Sequence, residues 1–318
     1  MKTSTSKRLR WNVAIWLAAG LFMTSAAGMA AGPIMPDPKA EARHQPQVEE
    51  TANGIPLVNI TAPSSGGVSR NEYETFNVPD KGAILNNSYT LSKTELAGYV
   101  QGNNNMAERP AKIIVNEVTG TGSTSMDGFL EVAGNRADVV IANPNGITVN
   151  GGGFINTGKA FLTTGKPVYD GEDHLQRFDI TGGDILIEGK GLGGKETGSL
   201  AILSRAVKIN AGIWAKDLHI TTGANTVDAK TLEASAIEGK GGRPAFALDT
   251  AAIGGMYAGR ITLVGTEKGL GVNNSGTWSA EDNLTLDWNG DLKNSGTIYS
   301  KGNTDLRASR LENDKTIA

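Results

Sequence analysis

Three histidines, one acidic run and one glycine-rich loop are where side-chain chemistry could reside in this chain of 318 residues. His44, His174 and His219 lie far apart and show no metal-ligand spacing. Each reads as a surface residue: His44 in a polar segment, His174 in a charged loop, His219 on the outward side of an apolar alternation between Leu218 and Ile220. Asp170-Gly171-Glu172-Asp173 could serve calcium or a catalytic carboxylate pair, but ordinary surface charge usage makes it a solvated loop. Gly189-Lys190-Gly191-Leu192-Gly193-Gly194-Lys195 imitates a dinucleotide or phosphate loop behind Ile185-Leu186-Ile187. Glu196 then stands where a magnesium-binding Ser or Thr is required, and Thr197-Gly198-Ser199 opens no helix for phosphate, so the segment reads as a β-turn. The chain contains no Gly-x-Ser-x-Gly elbow and no cysteine, which excludes disulfides, thiol catalysis and zinc–thiolate sites. No catalytic residue, metal site or cofactor is expected.

The elements around these residues are short strands. Gly numbers 42 while aromatics are only 6%, a balance that suits frequent corners and thin strands. A net charge of −3 argues against a nucleic-acid binder. Apolar alternation begins at Ile55 and Leu57 and returns at Tyr73–Val78, 83–88, 113–115, 160–162, 178–180, 185–187, 200–202, 207–209 and 218–220. Residues 89–110 are polar and read as a short helical or capping excursion, and 222–245 as a pair of projecting loops. Near the C-terminus the pattern repeats openly. Val272-Asn273-Asn274-Ser275-Gly276-Thr277-Trp278-Ser279 recurs 20 residues later from Leu292 and again, weakened, from Leu311. A period near 20 belongs to solenoids. One coil buries a few aliphatics at about 1.5–3 kcal/mol each, against about 1–2 kcal/mol per ordered backbone residue, so coils are stable only when stacked. In such a stack Asn274, Asn294 and Asn313 align and can bond amide to amide.

The sharpest corner lies at Asn143-Pro144-Asn145-Gly146. Val139 and Ile141 alternate into it, Pro144 fixes φ and extends Asn143, Asn145-Gly146 turns the chain, and Ile147 and Val149 resume the alternation. The glycines at 151, 152 and 153 permit a second corner before Phe154-Ile155.

These residues carry a resemblance. Asn143-Pro144-Asn145-Gly146-Ile147, with Asn150-Gly151 and Gly153-Phe154-Ile155-Asn156-Thr157, resembles the signature of two-partner secretion domains, the N-terminal parts of filamentous haemagglutinins, haemolysins and contact-dependent growth inhibition toxins. Val115-Asn116-Glu117-Val118-Thr119-Gly120 resembles a second recurring segment, although it departs from the Asn-Pro-Asn-Leu form of some relatives. Residues 252–261 and 264–269 resemble the start of a haemagglutinin shaft. Some relatives carry a cysteine pair at this corner; Val149 and Gly152 stand in those places here.

The resemblance implies an all-β, right-handed parallel β-helix with an N-terminal cap and extra-helical loops or hairpins. It also implies export: a cognate outer-membrane barrel transporter with periplasmic receptor domains would bind the domain, and the chain would coil outside the cell or at its surface. Further regions would meet a host or neighbouring-cell surface as adhesin or toxin. Asn116, Asn143, Pro144, Asn145 and Gly146 are the candidate site, with two readings open: contact with the transporter, or a turn that only shapes the fold. A β-helical polysaccharide lyase or hydrolase is the alternative function.

The expected organisation is a signal peptide at 1–30, a flexible lead-in at 31–52, the secretion domain at 53–250 and shaft repeats at 251–318. The signal rests on Lys2, Lys7, Arg8 and Arg10 before an apolar run from Trp11 to Met23, which is too short to span a membrane. Small residues allow cleavage after Ala30 or after Ala27. The final repeat stops mid-pattern without a polar cap, so continuation of the shaft is expected.

Overall fold

The computed structural model describes residues 32–107 and 109–318. The signal segment and its Ala30 cleavage site lie outside the described residues. Among these residues helical structure is limited to two short 3-10 turns, Ala42–His44 and Asn104–Met106, and the rest of the regular structure is strand.

The strands wind into a parallel β-helix whose rungs present three faces. On the first face Ala83–Asn87, Phe129–Gly134, Gly152–Ile155 and Leu192–Gly194 stack in parallel, followed by Gly212–Thr222, Gly255–Gly265, Thr277–Ala280 and Thr297–Ser300. The second face runs from Val68–Phe76 through Ile113–Val118, Ala137–Ala142, Thr157–Thr163 and Ser199–Ser204. It continues through the later halves of Gly212–Thr222 and Gly255–Gly265, which turn the corner between the two faces without a break, to Leu284–Trp288. The third face stacks Thr124–Met126, Ile147–Val149, Asp184–Ile187, Ala206–Ile209, Phe246–Thr250, Gly271–Asn274 and Asp291–Asn294.

Period-2 alternation sends every second side chain inward, and parallel registration places each above its counterpart in the next rung. Ile147, Ile185, Val207, Leu248, Val272 and Leu292 form one such column, each at most 2% exposed. The columns of the three faces merge into one interior apolar core. The division expected near residue 250 is a change in regularity, because stacking continues unbroken across it.

Two smaller apolar layers lie outside the coil. The chain leaves the second face twice, and both departures are hairpins: Lys166–Tyr169 with Leu175–Ile180, and Asn225–Asp228 with Ala234–Ala236. They join through antiparallel pairing of Leu175–Ile180 with Asn225–Asp228 into a four-stranded sheet. Phe178, Ile180 and Val227 from this sheet pack on Val115, Val140, Phe161 and Leu203 of the second face. The stretch 222–245 is thus half of a packed sheet, and Phe178–Ile180 belongs to it instead of to a rung. A third hairpin, Ser92–Thr94 with Gly98–Val100, closes a small layer of Ile55, Leu57, Ile84, Val100 and Ala133. Residues 89–110 are therefore a hairpin plus a 3-10 turn.

The flexible lead-in expected at 31–52 is corrected by the structure. Ile34–Pro36 pairs antiparallel with the end of Val68–Phe76, and Gln47–Glu50 pairs antiparallel with Pro56–Asn59. Its low apolar content and prolines suit a cap: Ile34 is buried against the first rung while the outer edge stays polar, which blocks edge-to-edge strand addition.

Candidate functional site

The Asn143-Pro144-Asn145-Gly146 corner joins the second face to the third. Ala137–Ala142 ends at Asn143, whose backbone N–H donates to Thr163 O of the next rung at 2.9 Å. Gly146 N–H closes the turn onto Asn143 O at 3.1 Å, with Gly146 at φ +113°. A side chain at 146 would meet both that positive φ and the Asp184 carbonyl.

Asn143 is fully buried and its amide is fully used. Nδ2 donates to Gly122 O at 2.9 Å and Thr124 Oγ1 at 3.0 Å, while Oδ1 accepts from Asn145 N at 2.9 Å and Asn145 Nδ2 at 3.0 Å. Asn145 Nδ2 also donates to Gly120 O at 2.8 Å. The corner therefore clips the polar loop 120–123 of the preceding rung. Pro144 and Asn145 are the exposed members, beside a shallow groove of about 410 Å³ that Ser123, Asp184 and Lys208 help line. At the next corner, a Cβ on Gly152 would come within 2.9 Å of Val149 Cγ1, so those two positions are neighbours.

Asn116 stands apart from that corner. It is fully buried on the second face, where Nδ2 donates to Val140 O at 3.1 Å and Oδ1 accepts from the buried Tyr73 hydroxyl at 3.0 Å. Burial holds the Tyr73 phenol well above its ordinary pKa, so it remains a donor. The five candidate residues thus fall into two separate places: a corner held from inside by Asn143, with Pro144 and Asn145 exposed, and the buried Asn116 on the second face.

The sequence missed a charged seam where the cap, the second face and the first extra-helical hairpin meet. Arg70 lies at its centre, with Nη2 2.8 Å from Glu72 Oε1, Nε 3.4 Å from Glu117 Oε2, and Cζ 4.4 Å from the centroid of the Tyr169 ring. His44 lies between Glu72 (3.1 Å) and Asp173 (3.6 Å), and Arg43 Nη1 reaches Asp173 Oδ2 at 2.8 Å. His44 is only 4% exposed, which corrects its assignment to the surface. Asp173 is likewise a seam member, so the acidic run is not simply a solvated loop. Burial pushes the Glu117 carboxyl up and Arg70 opposes that shift. Strand alternation alone gives no signal for a seam drawn from four separate segments, Arg43–His44, Arg70–Glu72, Glu117 and Tyr169–Asp173.

The other histidines are closer to expectation. His174 lies in the hairpin loop, bonded to Asp170 Oδ2 at 2.9 Å. His219 does point out of the core but is half-buried, and that burial pushes its imidazole down to about 4. Gly189 and Gly191 adopt positive φ, and Leu192–Gly194 enters the first face directly, as a turn would. Among the described residues no group of three or more His, Cys, Asp or Glu could hold a metal ion.

A second clamp pins the excursion at 238–242. Arg205, 6% exposed, grips Glu267 through Nε (3.0 Å) and Nη2 (2.9 Å) while Nη1 donates to Lys240 O at 2.7 Å. The guanidinium holds the Glu267 carboxyl below the usual carboxylate range.

The sequence pattern of a family described as "TPS secretion domain" matches residues 33–298. The chain is 43% identical over 294 residues to a protein named Toxin CdiA from Yersinia pestis, covering 85% of this chain and 9% of that protein. It is 44% identical over 260 residues to 16S rRNA endonuclease CdiA from Enterobacter cloacae subsp. cloacae, covering 81% and 8%. The chain therefore spans less than a tenth of the length of these curated relatives. Among solved structures, the filamentous hemagglutinin secretion domain superimposes with a TM-score of 0.74 at 32% identity, over 89% of this chain and 97% of that one.

Proposed function

The chain belongs to the two-partner (TPS) secretion-domain family, and on that premise we propose how its parts divide the work of export. It is the secretion domain of an exported adhesin or contact-dependent toxin, and such a domain works with a cognate outer-membrane transporter. In the proposed sequence of events, residues 1–30 direct the chain to the periplasm and are removed after Ala30 or Ala27. Receptor domains on the periplasmic side of the barrel bind the extended chain, which crosses and then coils outside. The whole protein would end in an adhesive or toxic region that meets a host or neighbouring cell.

The observation that carries this division is the closed hydrogen-bond account of Asn143. A side chain with every donor and acceptor used internally serves the folded product, so Asn143 is assigned to folding. Asn116 joins it because it is fully buried and bonded to Val140 O and Tyr73, and only Pro144 and Asn145 present surface. Coils formed by neighbour contacts can add one after another as chain emerges, and that folding helps draw the chain outward.

Export with and without the cognate barrel is the first test. Product outside the cell only when the barrel is present supports the reading, and equal export without it overturns the reading. Asn143→Asp then separates the two roles, since it keeps shape but loses both amide donors. Lower thermal stability with unchanged binding of the unfolded chain to the transporter's periplasmic part is expected. The reverse result would make Asn143 a contact residue. Val207→Asp, placed in the core column, is expected to cut secreted yield; an unchanged yield of unfolded product would refute the outward pull. We read the domain as non-catalytic, and an assay of the purified chain on polysaccharides should find no cleavage.

A further inference from the structure

A row of aromatic rings lies flat on the outside of the first face. Trp214 and Tyr257 are register partners one rung apart, with ring planes 16° from parallel and centroids 6.2 Å apart. Each ring lies over a glycine two residues before it. A Cβ on Gly212 would approach Trp214 ring atoms at 2.4–2.5 Å, and one on Gly255 would approach the Tyr257 ring and hydroxyl at 2.7–2.9 Å. Gly191, in the neighbouring rung, also lies under Trp214, where a Cβ would come within 3.0 Å of Cζ3. With glycine beneath, one π-face rests on the backbone and the other is offered to solvent, with Tyr257 39% exposed. The register column continues through Ser279 to Tyr299, which is 40% exposed. In the opposite direction Phe129, 43% exposed, is bedded on Gly153 and Gly193 of the same column. At about 4.8 Å per rung the column is roughly 30 Å long.

The rim of this pavement is basic. Lys195 and Lys216 flank Trp214 and Tyr257 in a groove of about 460 Å³. Neither lysine has a carboxylate within 4.0 Å among the described residues. Of the acids nearby, Glu281 is engaged with Lys301 and Asp217 with Arg260. Glu196 beside Lys195 carries no ion pair among the described residues and, with Glu95 and Glu131, makes the Phe129 end of the column acidic. The basic character is therefore confined to the Trp214–Tyr257 stretch. Exposed flat aromatics are costly unless something covers them. The C–H faces of pyranose rings fit the negative π-faces, their hydroxyls suit Ser279 and the solvated edges, and carboxylates would meet the free ammonium groups.

We propose that this pavement binds an acidic polysaccharide lying along the rungs, outside the cell. The location rests on the secretion reading, whereas the binding does not. A protein partner would need apolar side chains to bury, and a neutral glycan would leave the two lysines unmatched.

Affinity electrophoresis of the whole chain in polygalacturonate, with dextran as the neutral control, tests it directly. Retardation by polygalacturonate at least tenfold stronger than by dextran is expected. Tyr257→Ala should weaken it about tenfold, and Lys195→Glu with Lys216→Glu should abolish it. The lysine variants are exposed and cannot collapse a rung, and thermal melting checks that Tyr257→Ala remains folded. Absence of retardation, equal retardation by dextran, or full retention by Tyr257→Ala would each overturn the proposal. Failure here leaves export through the barrel untouched, since secreted yield is scored separately.

Discussion

The rungs before residue 250 and those after it use the same inward columns but different fastenings. Beyond 270 each rung repeats its neighbour. Asn274 Nδ2 donates to Asn294 Oδ1 at 2.8 Å, Asn294 Nδ2 donates to Asn313 Oδ1 at 2.7 Å, and Ser275 meets Ser295 at 3.1 Å. Before 250 most fastenings are unique: a cap, a covering sheet and a charged seam each occur once, and the Arg205–Glu267 clamp reaches across to the later rungs. The register partners Asn71 and Asn116 are the exception, since each donates to a backbone carbonyl of the following rung. A repeated ladder gives every rung equal stability and no fixed beginning. Unique fastenings define one end and one register, which a solenoid needs if it is to start folding in one place.

Removing one large core side chain from each region should break this comparison most clearly. Phe178→Ala and Trp278→Ala are each expected to cost about 3–5 kcal/mol, because both are fully buried. Phe178→Ala should release the covering sheet and spare the coil, whereas Trp278→Ala should loosen rungs on both sides. Amide exchange, read separately over 166–180 and 284–288, distinguishes these outcomes. Equal spread of the damage in both variants would erase the distinction.

Cutting the single clamp comes next. Arg205→Met leaves Glu267 without its partner and should cost about 3 kcal/mol, measured by denaturant unfolding. Proteolysis within 238–242 should rise with it. In the ladder, Asn294→Ala strips partners from Asn274 and Asn313 and should cost about 1–3 kcal/mol. Asn313→Ala, at an exposed rung, should cost about 0.5 kcal/mol. Similar losses for the two asparagines would mean that the ladder gains nothing from burial.

The smallest effect is in pH. Burial raises the folded pKa of Glu117, so its charged form weakens the fold at neutral pH and that cost is relieved as pH falls toward the ordinary carboxylate range. Arg205 lowers the folded pKa of Glu267, so the clamp is fully present above that range and is lost only as pH falls through the lowered value. Between pH 7 and 5 the wild type should therefore gain stability relative to Glu117→Gln, while its difference from Arg205→Met stays constant. Thermal melts across that interval would check both signs.

Local features of the sequence were read with different success. Strand alternation placed Ile113–Val118, Ala137–Ala142, Asp184–Ile187 and Ala206–Ile209, since inward columns need only period 2. The 20-residue repeat located the asparagine ladder down to its members, because a translation in sequence becomes a translation along the stack. Phe178–Ile180 alternates just as well, yet it faces the coil from outside, and alternation cannot tell which apolar layer a strand will cover. A cap was expected, but its strands at 34–36 and 47–50 were read as a flexible lead-in, because prolines and charges look the same in a solvated tail and in a polar outer edge. His44 was assigned to the surface for the same reason: its partners Glu72 and Asp173 are brought to it only by the fold.

What the chain carries by itself is its winding: alternation, glycine corners and a period of about one rung dictate a stack of short parallel strands, because only stacking offsets the backbone entropy of each coil. The tertiary structure decided which asparagines are sealed inside, where the extra strands fold back, and that glycines two residues ahead of Trp214 and Tyr257 lay both rings flat. Those outcomes depend on contacts between rungs distant in sequence, and such contacts exist only once the turns of the coil are set one upon another.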